Sequence, residues 1–170
     1  TNTKMVLVGE ECIAPFLETP ETQEWPQWLI PDAENVAAAQ QLTGFDRDFS
    51  AEVEQASKAR PDAALRDGIR AEDDMLYIFT SGTTGLPKAA RYSHMRWMTS
   101  GDVMEVTLGT DTSDVFYCCL PLYHGAAATS VASTALSSGA SIVIRRKFSA
   151  SRFWSDVRTH SVTVFQYVGE

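Results

Sequence analysis

The sequence predicts an α/β fold, a mostly parallel sheet flanked by helices, and three observations carry that reading. Short apolar runs of strand length recur through the second half of the chain, at 75–79, 115–120, 141–145 and 162–167. Segments long enough for helices separate the later runs, and strands joined that way need crossover connections, which make their sheet parallel. The run at 75–79 passes directly into Thr80-Ser81-Gly82-Thr83-Thr84-Gly85-Leu86-Pro87-Lys88. Open α/β sheets place ligand loops beyond the carboxyl ends of their strands, the position this segment takes.

The elements come in order along the chain. Residues 4–9, Lys-Met-Val-Leu-Val-Gly, form a short apolar run that reads as a buried strand ended by Gly9. Between Glu10 and Asp32 come four prolines and six acids, with Trp25, Trp28, Leu29 and Ile30 as the apolar patch, so the expectation is an irregular excursion pinned by those side chains. The whole acidic excursion covers about 15–73. Within it, Asp32 is placed to cap a short helix over 33–42, and Ser50 another over 51–59, stopped before Pro61. Ser93 is placed as the N-cap of a helix to about Val106, with a turn at 109–113. A strand at 115–120 leads to 125–138, rich in alanine and small polar residues, which suits a helix packed closely on a sheet. Ser149 is placed to cap a helix over 150–159 between the last two strands.

The loop is built to hold phosphate. Gly82 and Gly85 let successive backbone N–H groups turn toward an anion, and Thr80, Ser81, Thr83 and Thr84 add hydroxyl donors. Lys88 supplies a flexible point charge, and no acid lies inside the segment. A plain surface loop is the commonest meaning of such a cluster, but this one comes after five apolar residues and ends in Pro-Lys. A Walker A loop is excluded: Pro87 stands where its second Gly belongs, and Ala89 where the magnesium-binding hydroxyl belongs. His124 is the second candidate, since Pro121-Leu122-Tyr123-His124-Gly125 joins a strand to the alanine-rich helix. His94 and His160 read as ordinary helix-end residues, and Arg145-Arg146-Lys147 as a solvated strand-to-helix turn.

The nine residues Thr80 to Lys88 resemble the phosphate loop of the adenylate-forming (AMP-binding) ligases. Cys118-Cys119-Leu120-Pro121-Leu122-Tyr123-His124, the stretch from Arg145 to Trp154, and Gln166-Tyr167-Val168-Gly169-Glu170 are similar to the fatty acid transport protein branch, the long- and very-long-chain acyl-CoA synthetases. The resemblance implies a part of the large N-terminal domain of such a synthetase, one partial adenylation domain over 1–170. It implies ATP, Mg²⁺ and CoA as cofactors and co-substrates, and a fatty acid as substrate. Thr80 to Lys88 would hold the nucleotide phosphates, Lys88 would act in catalysis, and His124 would lie beside the adenylate and the acyl or pantetheine path. Tyr167, Gly169 and Glu170 resemble the start of the family's acyl-pocket region, with structural roles equally open. Other family segments, a Tyr-Gly-x-Thr-Glu stretch, a ribose-binding Asp and a C-terminal domain with its Lys, have no counterpart before Glu170.

Composition bounds the remaining classes. At 170 residues the chain is long enough for one sizeable domain, and a net charge of −8 without a basic, aromatic-interleaved stripe argues against nucleic acid. Cys12, Cys118 and Cys119 form neither a paired framework nor a metal spacing and fit a reducing compartment, the cytoplasm. No leader and no bilayer-long apolar run is evident, although an enzyme acting on long acyl chains could still sit on a membrane surface. The chain opens Thr1-Asn2-Thr3 without an initiator Met and stops after a strand-like run, so it reads as an internal, N-terminal-side piece that is inactive alone. Two alternatives stay open: a catalytically silent nucleotide-binding or interaction module, and an adenylate-forming ligase for another acid. Oligomeric state is not legible.

Overall fold

The computed structural model describes residues 3–19, 24–31, 45, 47–80 and 88–167. They fall into two compact units, 1–62 and 63–170.

In the first unit, β1 (Val6–Gly9) pairs in parallel with β2 (Gln27–Ile30), and β2 with β3 (Arg47–Asp48). After Gly9 the acids Glu10 and Glu11 open a single 3-10 turn that runs into α1 (Ile13–Leu17). Pro15 is tolerated there because the first helical N–H groups have no intrahelical acceptor to lose. Val8, Ile13 and Leu29 form the buried cluster, with Val6, Phe16 and Phe45 packed against it. The acidic stretch expected to be irregular therefore contains a strand: Trp28, Leu29 and Ile30, expected as a pinning patch, lie on β2, and the alternation that buries Leu29 is too short to stand out among prolines and acids. Helix α2 (Phe49–Gln55) is capped by Asp48, whose carboxylate accepts from the Ala51 N–H at 3.0 Å, and not by Ser50, which lies inside the helix. The helix expected at 33–42 lies outside the described residues.

The second unit holds two sheets. Strands β4 (Asp74–Thr80) and β5 (Lys88–Ser93) form an antiparallel pair running from Asp74 opposite Ser93 to Thr80 opposite Lys88. Helix α3 (His94–Leu108) begins where expected: Ser93 Oγ accepts from the Arg96 N–H at 3.2 Å. It ends at Gly109, whose φ of 66° only glycine adopts without strain, with its N–H donating to the Glu105 carbonyl at 2.8 Å. The parallel sheet then forms from β6 (Val115–Cys118), β7 (Ser141–Ile144) and β8 (Val164–Phe165), in spatial order β7-β6-β8. Between β6 and β7 the expected helix is present in two parts, a π helix over Ala126–Ala132 and α4 (Ser133–Ser138). Helix α5 (Ala150–Thr159) joins β7 to β8; Ser149 occupies its N-cap position without a side-chain capping bond.

Alternation along β6 sets the layers. Phe116 and Cys118 bury against Ala127, Val131 and Ala135 of the π helix and α4. Tyr117 faces the opposite layer, with its ring 5.5 Å from Phe153 of α5 and 5.8 Å from Phe165 of β8. Helices thus cover both faces of the parallel sheet, as the crossover argument requires. Helix α3 packs on the far side of the π helix and α4, and the backbones come closest at Gly101, which is buried against Ser133.

Candidate functional site

The order β7-β6-β8 reverses direction at β6: the chain leaves β6 for one neighbour and returns past it to the other. Such a reversal opens a crevice at the carboxyl end of the central strand. That end of β6 leads through Pro121 to His124, so the strand-end rule used for the phosphate loop applies to the histidine. The phosphate loop itself stands differently. It connects two antiparallel strands, and Thr80 and Lys88 face each other as their last paired residues. Short apolar β4 and the Lys88-Ala89-Ala90-Arg91-Tyr92-Ser93 run form this hairpin because both alternate in burial and have no helix-length connection between them. Residues 89–92 carry no strand-length apolar run, so the sequence does not announce β5. Residues 81–87 lie outside the described residues.

At the base of the loop, Thr80 Oγ1 donates to the Lys88 carbonyl at 3.3 Å. Both side chains are exposed, and Lys88 enters no ion pair with a described residue. At the other end of the hairpin, Arg91 Nε lies 2.9 Å from Asp74 Oδ2 and braces the two strands. The Arg91 guanidinium holds the Asp74 carboxyl below its ordinary range, helped by the Tyr77 hydroxyl, and Asp74 in turn pushes the Tyr77 phenol up.

Thr80 and His124 come together. A cleft of about 370 Å³ is lined by Ile78, Phe79, Thr80, Ala90, Tyr92, His124 and Gly125, a volume at the lower end of the roughly 300–1,000 Å³ usual for small-molecule sites. His124 Nδ1 accepts from the Ala126 N–H at 3.2 Å, which leaves the ring proton of the neutral imidazole on Nε2. The His124 carbonyl accepts from the N–H groups of Ala127 and Ala128, at 3.1 and 3.0 Å, just ahead of the π helix. Tyr92 stands beside Gly125, where a Cβ would lie 3.8 Å from the phenol oxygen, and the Arg96 guanidinium covers its ring at 4.4 Å. Tyr92, Ala90, Ile78 and Phe79 were missed as lining residues. The signal existed: in an antiparallel hairpin, 90 pairs with 78 and 92 with 76, so alternate residues on β5 share a face with the loop's own strand.

One further expectation changes in part. Arg145 lies in the exposed strand-to-helix turn expected, but it is not free there: its Nε and Nη2 make a bidentate pair with Asp156 at 2.9 and 2.8 Å, and Tyr117 Oη donates to the same carboxylate at 3.1 Å. The pair ties the end of β7 to α5. Arg145 holds the Asp156 carboxyl below its ordinary range, while burial and then Asp156 push the Tyr117 phenol up. His160 caps α5 in the exposed position expected, with Nε2 at 3.3 Å from Arg145 Nη2. Of the suggested acyl-pocket residues, Tyr167 is exposed, and Gly169 and Glu170 lie outside the described residues. Cys12, Cys118 and Cys119 are free thiols. Among the described residues no group of three or more His, Cys, Asp or Glu could hold a metal ion, and no helix is long and apolar enough to cross a membrane.

The fold is a mixed α/β arrangement of parallel sheet, flanking helices and a hairpin whose connecting loop carries the hydroxyl-glycine signature, the class of the adenylate-forming ligases' N-terminal domains. Residues 3–170 match the family model described as AMP-binding enzyme, and the chain belongs to that family. Its sequence is 44% identical over 108 residues to the medium/long-chain-fatty-acid–CoA ligase FadD6 of Mycobacterium tuberculosis, covering 63% of this chain and 18% of that protein. It is 50% identical over 98 residues to the mouse long-chain fatty acid transport protein 3, covering 58% of this chain and 14% of that one. The chain thus spans less than a fifth of the length of these relatives. Among solved structures, apo MatB from Rhodopseudomonas palustris superposes with a TM-score of 0.70 at 17% identity, over 95% of this chain and 29% of that one. Its ATP-bound form superposes at 0.62 and 20% identity, over 90% and 31%. These likenesses bear out the resemblance read from the motifs and the fold class.

Proposed function

We propose that this chain is part of a long-chain fatty acid–CoA ligase that activates a fatty acid with ATP to an acyl-adenylate and then forms the CoA thioester. The observation that carries this reading is the cleft in which Thr80, at the base of the phosphate loop, meets His124. On this reading 1–170 belongs to a single N-terminal adenylation domain, supported by the family match running across both compact units. The enzyme works in the cytoplasm, with a peripheral membrane contact through its lipid substrate.

In the first step a carboxylate oxygen of the fatty acid bonds to the α-phosphorus of ATP as the bond to the β-phosphate bridging oxygen breaks and pyrophosphate leaves. The substrate is its own nucleophile, so the protein's task is to bind, orient and stabilise the leaving charge. Ser81, Gly82, Thr83, Thr84 and Gly85 supply hydroxyl and backbone N–H donors, and Leu86 and Pro87 lead to Lys88. Thr80 and Lys88 are fixed opposite each other by strand pairing, so the cation stands at the mouth of the loop. His124, whose Nδ1 accepts from the Ala126 N–H, offers its Nε2–H as a donor to the reacting carboxylate in the same cleft. In the second step the CoA sulfur bonds to the acyl carbon and AMP leaves. Mg²⁺, implied by the family, finds no ligand set among the described residues, and no step is assigned to it.

The test is fatty-acid-dependent ATP–pyrophosphate exchange in the full-length protein, wild type against Lys88→Ala. Removing the loop's cation should lower kcat by roughly ten- to a thousandfold with a smaller change in KM for ATP. Lys88→Arg should recover only part of the rate, because a planar guanidinium does not occupy the ammonium's place. Exchange driven by acetate in preference to long-chain acids, or a wild-type kcat in Lys88→Ala, would overturn the reading.

A further inference from the structure

The histidine of the cleft leads directly into a π helix, and turns of this kind occur mostly as short insertions at functional positions. An inserted residue disturbs the i to i+4 ladder, so donors from a neighbouring helix can help hold such a turn. One donor comes from α3. Trp97 Nε1 donates to the Ala128 carbonyl at 2.8 Å in a partly buried contact. Ala128 is the residue whose own N–H donates to the His124 carbonyl at 3.0 Å, and the Ala126 N–H, two residues earlier, donates to the imidazole Nδ1. At the far end of the π helix, Ser133 Oγ donates back to the Trp97 carbonyl at 2.6 Å. One turn further along α3, Gly101 brings the two backbones so close that they cannot slide past each other.

We propose that Trp97 is a positioning residue for His124. Its indole N–H stabilises the π turn, and the π turn fixes the Ala126 N–H against Nδ1 and so sets both the ring's direction and its Nε2–H tautomer. Without the indole N–H, the Ala128 carbonyl loses this donor, the support it has from α3, and the segment is freed to return to α-helical spacing. Each residue of register then turns the attachment of His124 by about 100°. The inference rests on the reading of His124 as a site residue only for its kinetic consequence; the positioning itself is a statement about the imidazole.

Two variants of the full-length protein test it. Trp97→Phe keeps a ring and removes the N–H. Trp97→3-benzothienylalanine replaces that N–H by sulfur in a side chain of the same shape, so it preserves the packing if the Phe variant does not fold. The long-range ¹H–¹⁵N histidine spectrum should show His124 as the Nε2–H tautomer in the wild type and lose that signature in either folded variant, whereas Ser133→Ala should retain it. Fatty-acid-dependent pyrophosphate exchange should fall about tenfold in Trp97→Phe and in His124→Ala, and no further in the double variant, because residues acting through one another are not additive. An unchanged His124 spectrum overturns the proposal whatever the kinetics, and so do losses that multiply in the double variant. If His124→Ala exchanges like the wild type, the site reading of His124 fails, and the spectrum alone then decides on Trp97.

Discussion

Gly101→Ala sets two opposing effects against each other at one atom. In an exposed helix the added methyl would stabilise α3, since alanine is favoured over glycine in a helix interior by about 1 kcal/mol. Gly101 is buried, however, and a Cβ there would run into Ser133 Oγ and stand 2.5 Å from the Ser133 carbonyl oxygen and 2.6 Å from Ser137 Oγ. The hydroxyls could rotate away, at the cost of their bonds to the Trp97 carbonyl and to Asp102 Oδ1. The carbonyl oxygen cannot, because it belongs to the backbone of α4. Relief requires the helices to part by roughly half an ångström along a packed interface, and overpacking of that kind costs about 1–3 kcal/mol, to which the two strained hydroxyl bonds add about 1 kcal/mol each. The repulsive side wins, with a net loss of about 2–4 kcal/mol after the helix-propensity gain is subtracted. Urea unfolding followed by circular dichroism should show a lower midpoint with an unchanged slope. A midpoint equal to or above that of the wild type would refute the close-approach argument. Gly101→Ala combined with Ser133→Gly should recover only the part due to Ser133 Oγ.

Local contacts set two further outcomes. Ser93→Ala removes the acceptor for the Arg96 N–H and should cost about 1 kcal/mol in urea unfolding, while Ser149→Ala, at an N-cap position without such a bond, should cost clearly less. Equal losses in the two would contradict the capping assignment. Asp156, held below its unfolded value of 3.8 by Arg145, contributes stability that is fully present above that value and lost as pH falls through its lower folded pKa. Asp156→Asn should therefore flatten the acid side of the stability profile, and an identical acid slope in wild type and variant would show that the pair with Arg145 does not set it.

The second half of the fold was legible because its signals are local. Ser93 and Gly109 bound α3 close to the expected positions, and 150–159 is helical over the residues expected. The loop's hydroxyls and glycines and the strand-end His124 stand out in the sequence by type and spacing, and Thr80 and His124 line one cleft in the fold. What failed depended on pairing. A seven-residue connection between antiparallel strands looks, in sequence, the same as a strand followed by a linker, so β5 and the lining residues Ala90 and Tyr92 were not visible. β2 was hidden because four residues are too few for alternation to outweigh the prolines around them. Arg145 looked solvated because its partner lies eleven residues away on a helix whose facing could not be read from charge alone. The π helix carried no warning either: alanine-rich small residues suit any close-packed helix, and the Trp97 indole that reaches its Ala128 carbonyl lies 31 residues away in the chain.

The pairing of Thr80 with Lys88 has a consequence for how tightly a nucleotide can be gripped. Bringing together the ends of a free segment of seven residues costs about 2 kcal/mol in chain entropy. In this hairpin the strands on either side have already met that cost during folding, with the Arg91–Asp74 bridge and the Thr80 hydroxyl holding them in place. On the proposed function, a nucleotide would meet a loop whose two anchors are already neighbours, and that saving would be worth more than tenfold in affinity at the ~1.4 kcal/mol per decade of binding. On that reading the antiparallel ladder beneath the loop would act on binding without touching the ligand.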